Sequence, residues 1–226
     1  MEEGTLGATR FIDSDHPVVA AFAAGHAGSG GARDKAVNLY YAVRDAVAYD
    51  MRAFALDEER FVASNALRAR TAFCVPKAVA LAAVARAAGI PSRIGFANVR
   101  NHLTSPRIAA LMDDDVFHWH AYTSLFLDGK WVKATPAFDI GLCERYGVKP
   151  LDFDGREDSI FHPFDREGRQ HMEYVDFVGE FADMPHAAFS VEMRQHHQRL
   201  LEGMEQDRRA QDQRAQDRRR AEAGRG

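Results

Sequence analysis

Arg70-Thr-Ala-Phe-Cys74-Val-Pro-Lys-Ala-Val-Ala-Leu-Ala-Ala-Val-Ala-Arg-Ala-Ala-Gly89-Ile-Pro-Ser-Arg93 carries the reading of the fold. The Ala-rich run predicts a helix from Cys74 to about Ala88, stopped at Gly89 with Pro91 just beyond. Cys74 falls at the start of that helix. Backbone N–H groups there lack an intrahelical partner, and the helix dipole is positive. Both favour thiolate, the nucleophilic form of cysteine. A lone cysteine commonly serves as a small buried hydrophobe instead, so the reading depends on what else the chain supplies.

Downstream, Phe117 to Leu127 is rich in aromatic and β-branched residues and predicts a strand. Asp128-Gly129 predicts a two-residue type I′ turn, and Lys130 to Ala134 the return strand. Folding about that turn sets Leu127 opposite Lys130 and brings His120 near Ala137, with Thr135 and Asp139 flanking. A neutral imidazole within reach of a thiol can take its proton. His118, two residues earlier, is expected on the same strand face and is a local rival. The pair at i, i+2 could also chelate a metal, but no further ligands stand at a recognised zinc spacing. Asp139 is the nearest carboxylate able to orient the imidazole; the same residue suits the N-cap of a short helix over Ile140–Tyr146. The backbone N–H of Cys74 is a candidate oxyanion donor.

Elsewhere, helices are predicted over 15–24, 33–50 and 186–201, a strand over 92–99, and a short helix opening at Ser105-Pro106. A second hairpin is predicted from 159–164 and 170–175, turning at Arg166-Glu-Gly168. Helices come first and strands afterwards, which argues α+β. Gly25 to Gly31 reads as a linker behind an N-terminal helical extension, residues 1–31. From Glu205 an imperfect five-residue repeat (Gln206-Asp-Arg-Arg-Ala, Gln211-Asp-Gln-Arg-Ala, Gln216-Asp-Arg-Arg-Arg) has almost no apolar residues. It predicts a disordered or frayed helical tail over 205–226.

The chain has 226 residues and a formal net charge of -4, and its basic residues do not cluster in the globular part, which argues against nucleic acid. The apolar run Val75–Ala85 is too short to span a membrane and contains Lys77. No basic, apolar leader opens the sequence. Two cysteines, Cys74 and Cys143, are too few for a disulfide framework, so a cytoplasmic setting is expected. Cys143 lies in the short helix over 140–146 and is expected to be dispensable.

Cys74 with its Ala-rich helix, Gly89-Ile-Pro-Ser-Arg93, His120-Ala-Tyr and Asp128-Gly-Lys-Trp-Val132 together resemble the transglutaminase-like superfamily, over roughly Leu39 to Asp139. The helix Leu39-Tyr-Tyr-Ala-Val-Arg-Asp-Ala-Val-Ala-Tyr-Asp50 resembles the one that usually precedes its core. The resemblance implies a papain-like α+β domain over 32–204, with the nucleophile at Cys74 and the general base at His120. The family commonly continues from the return-strand tryptophan into Asp-Pro-Thr; here Trp131 leads to Thr135-Pro136. Thr135 therefore stands where the aspartate is usual, leaving Asp139 or a Cys-His dyad. The expected function is cysteine-dependent acyl transfer or amide hydrolysis through a thioester, on a peptide or other amide substrate and without a cofactor. A catalytically inactive binding module of the same fold, or a metal-dependent hydrolase using His118 and His120, are the alternatives.

Overall fold

The computed structural model describes residues 5–101, 104–160 and 172–223. In chain order the elements are α1 (Pro17–His26), α2 (Ala32–Ala46), β1 (Ala48–Tyr49), α3 (Ala63–Ala69), β2 (Thr71–Ala72), α4 (Cys74–Ala87), β3 (Ser92–Asn101), α5 (Pro106–Ala109), β4 (Val116–Leu127), β5 (Lys130–Ala134), α6 (Ile140–Tyr146), β6 (Met172–Phe181), α7 (His186–His196) and α8 (Gln198–Ala223). The main sheet is antiparallel in the order β5-β4-β3-β6, and β1 pairs with β2 in a short parallel ladder. Helices in front and an antiparallel sheet behind make this an α+β fold.

The central element is α4. Every residue from Val75 to Arg86 is buried. Such a helix has no polar stripe because neighbours cover it all round: α1, α2 and α3 on one side, β3 and β4 on the other. Its small alanines let those neighbours approach. Two cations are buried with it, and each is given backbone acceptors. Lys77 Nζ donates to the carbonyl of Arg44 at 2.7 Å and to that of Val47, which closes the C-terminus of α2 where carbonyls lack helical partners. Arg86 donates to the carbonyls of Gly7, Ser92 and Ala182, tying the N-terminal segment to the start of β3 and the residue after β6. The helix ends as predicted. Gly89, at φ 82°, donates to Arg86, and Ile90 donates to Ala85, the two bonds of a Schellman cap.

The hairpin between β4 and β5 follows the predicted register, from Leu127↔Lys130 to Thr123↔Ala134. Asp128 (φ 49°) and Gly129 (φ 86°) take the left-handed conformations of a type I′ turn. On β3, Gly95 faces Tyr122, and a Cβ there would lie 2.2 Å from the tyrosine ring.

Four sequence expectations differ from the structure. The helix predicted over 33–50 stops at Ala46. Val47 turns extended, and Ala48 and Asp50 donate to the carbonyls of Arg70 and Ala72 instead, forming β1. The single helix over 186–201 is two, α7 and α8, broken where His197 adopts φ -134°. The residues from Glu205, expected as a disordered or frayed helical tail, continue α8, with i, i+4 pairs such as Glu205–Arg209 and Gln213–Asp217 along an exposed face. Residues 5–31 do not stand apart as an extension: Phe11, Ile12, Val19 and Ala23 join the main core, and α1 packs on α4. Most of the second predicted hairpin falls on 161–171, outside the described residues. Its later part belongs to β6, which pairs with β3, while Ser159 bridges to Ala134.

Candidate active site

Cys74 occupies the first position of α4, half-buried, with Phe73 as the N-cap residue. Phe73 packs edge-on against Phe54 and Phe61, which fixes the chain at this turn. A narrow cavity of about 40 Å³ runs beside the thiol, and Cys74, His118, His120 and His197 all line it. His120 also lines a larger open cleft of about 430 Å³. Tyr49, Met51, Phe117 and His120 are common to the two and form the wall between them.

The placement of the two histidines is set by a β-bulge. His120 pairs with Ala97 and Phe117 with Val99, so His118 and Trp119 together oppose Asn98. Trp119 sits at φ 56°, and its N–H is accepted by the Asn98 side chain at 3.0 Å. The extra residue shifts the alternation of side chains by one. Phe117 and His120 therefore share the cleft wall. His118 leaves it and stacks on His196, with ring centroids 4.0 Å apart, beside His197 at the α7–α8 junction. The expectation that His118 and His120 share one face is thus corrected, because simple i, i+2 alternation fails across a bulge. Among the described residues no group of three or more His, Cys, Asp or Glu is placed to hold a metal ion.

Burial dominates the protonation states. It pushes the Cys74 thiol up to about 11, although the backbone amides of Ala121, Val75 and Cys74 itself pull the other way. The helix-start argument for a thiolate is therefore outweighed at rest. Burial likewise pushes His120 down to about 3, leaving a neutral imidazole. The Ala121 amide follows His120 directly in β4, so the sulfur lies against the strand that carries the imidazole. Burial also raises the Tyr49 phenol well above its ordinary value, with Cys74 adding to the effect.

Asp139 is engaged elsewhere in part. Its Oδ1 accepts from Leu142 N at 2.9 Å, capping α6, and its Oδ2 accepts from Tyr49 N at 2.8 Å, holding β1. Burial alone would raise its pKa, but those two amides and Lys77 hold it below the usual carboxylate range. Thr135 is buried, and its Oγ1 has no hydrogen-bond partner among the described residues. Its carbonyl accepts from Tyr40 OH at 3.2 Å. Cys143 is buried in α6.

Sequence reasoning passed over five contributors. Tyr49 was read as helix, yet it lines both cavities. Asn98 makes the bulge that separates the histidines, and the strand pattern carries no mark of it. Phe138, Leu142 and Met172 line the cleft from elements distant in sequence.

A solved structure from Cytophaga hutchinsonii, provisionally assigned as a cysteine protease, is 17% identical with a TM-score of 0.45; the match covers 60% of this chain and 43% of that one. The chain thus spans less than half of that protein. No curated protein matches. No helix among the described residues is long and apolar enough to cross a membrane. The family model described as the transglutaminase-like superfamily matches residues 20–136, just over half of the sequence. That span runs from within α1 to the end of the β4–β5 hairpin and takes in both Cys74 and His120, so the chain belongs to the transglutaminase-like superfamily.

Proposed function

We propose that this protein is a cysteine-dependent amide hydrolase or acyltransferase built on a Cys74–His120 dyad. The observation that carries the reading is the meeting of the α4 start and β4 at one cavity: Cys74 and His120 both line it, and the amide beyond His120 faces the sulfur. Cys74 Sγ attacks the amide carbonyl while His120 takes the thiol proton, giving a tetrahedral oxyanion. The backbone N–H at the start of α4 donates to that oxygen. His120 returns the proton to the nitrogen as the C–N bond breaks, leaving a thioester and a free amine. Water, or a second amine, adds to the thioester, and the thiol is regenerated with its proton.

Each charge formed alone opposes burial. Formed together, thiolate and imidazolium attract in a medium where attraction is strong, so they titrate as a pair. The resting site is then a neutral thiol and imidazole, and proton transfer accompanies attack. Asp139 is a positioning residue for β1 and α6 in this reading.

One specific observation favours a second reading, a binding module without catalysis: Thr135 stands where the family usually has its acid. Iodoacetamide labelling separates the two. A dyad predicts that His120→Ala slows modification of Cys74 at least tenfold at neutral pH. Equal rates in the two proteins would sink the enzyme reading and leave the binding module.

A further inference from the structure

The cleft of about 430 Å³ that opens beside His120 has a one-sided chemistry. Its described lining contains no Asp, Glu, Lys or Arg. Phe117, Phe138, Leu142, Val148 and Met172 supply an apolar surface, and Asn101, Thr104 and Ser105 supply neutral polar groups. The titratable groups next to the thiol add no charge either: burial keeps His120 neutral and the Tyr49 phenol protonated. Such a cleft has room for a side chain larger than a methyl group and offers no counter-ion to a charged one. A charge placed there would lose water without a partner, whereas an aromatic ring would lose only apolar hydration.

We propose that this cleft receives a bulky, uncharged apolar group of the substrate, an aromatic or branched aliphatic side chain next to the amide that Cys74 attacks. This rests on the catalytic reading above and adds the substrate class to it. The wall shared by cleft and cavity, His120 with Phe117 and Tyr49, sets that group beside the cavity that Cys74 lines. The neutral donors and acceptors of Asn101, Thr104 and Ser105 suit the amide groups of a peptide.

The test uses three N-substituted iodoacetamides of similar size, phenethyl, 2-carboxyethyl and 2-aminoethyl, with labelling of Cys74 followed by intact mass. The phenethyl reagent is expected to label about tenfold faster or more, with saturation, since burying one aromatic side chain is worth that ratio. Leu142→Glu, or Tyr146→Glu at the exposed rim should the first variant fold poorly, is expected to bring the ratio of the phenethyl rate to the plain iodoacetamide rate, both measured on the same variant, down to about one. Thermal shift with unreactive N-phenethylacetamide, against its carboxylate and amine counterparts, reads the same preference without the thiol. Equal rates for the three reagents, or equal shifts for the three amides, would overturn the proposal. Loss of His120 dependence with plain iodoacetamide tests the dyad separately, so the two failures are distinguishable.

Discussion

Phe117 and His120 line one wall although they stand three positions apart on a strand, because the bulge at Trp119 places His118 and Trp119 against the single residue Asn98. The consequence is that His120 borders both the cleft and the thiol cavity, whereas His118 borders only the thiol cavity and stacks on His196.

The division of labour between Cys74, His120 and Asp139 is open to direct measurement. Both described hydrogen bonds of the Asp139 carboxylate go to backbone amides. Asp139→Asn keeps one acceptor and a good N-cap, so it is expected to lower the rate less than tenfold. Cys74→Ser is expected to lose a thousandfold or more, in line with removal of a nucleophile. Comparable losses on any turned-over amide would show a full triad.

Acid stability reports on His120. Its folded pKa of about 3 lies below the unfolded value near 6.5. The unfolded chain therefore binds the extra proton first, and stability present above pH 6.5 is lost as pH falls toward 3. Between pH 6.5 and 4.5 the group contributes about 2 kcal/mol of that loss. His120→Gln is expected to flatten the fall in chemical-denaturation stability over this range. An unchanged slope in the variant would show that the imidazole is not buried neutral.

Lys77 makes the opposite end of the pH range informative. Burial pushes its folded pKa down to about 7, against the pull of Asp139 and Asp45. The unfolded lysine holds its proton up to about pH 10.4. Wild-type stability from this group therefore rises between pH 7 and 10. Lys77→Met removes that rise and frees the carbonyls of Arg44 and Val47, a cost of about 1–3 kcal/mol. Urea denaturation at pH 7 and pH 9.5 measures both effects.

The C-terminal helix divides at about Ala210. Arg208 donates to the carbonyls of Arg52 and Phe54 at 2.8 and 2.7 Å, and Asp207 pairs with Arg107 at 2.7 Å. Truncation after Ala210 is expected to leave the melting temperature within about 2 °C, since residues 211–220 are exposed. Removal from Glu205 is expected to lower it by several degrees through loss of the Arg208 bonds. Equal melting temperatures for the two truncations would show those bonds to be worth nothing.

Local rules reached far into this chain. The α4 segment, its Gly89 stop, the Asp128-Gly129 turn, the β4–β5 register and the Ile140–Tyr146 helix all follow from periodicity, caps and turn chemistry, which act over a few residues. The order of helices and strands implied α+β, and the Cys74 and His120 motifs pointed to the transglutaminase-like superfamily. Where a neighbour distant in sequence decided the outcome, those rules failed. Tyr49 leaves its helix because Asp139 and the Thr71–Ala72 strand offer it better partners. His118 turns from His120 because Asn98 opens a bulge on the adjacent strand. The thiol stays protonated because packing from β4, α7 and α8 removes water that a bare helix terminus would keep. Spacing along the chain determined which residues can form a turn or a cap; only the folded arrangement decided which side chains share a cavity, since desolvation and strand pairing depend on groups that sequence proximity does not reveal.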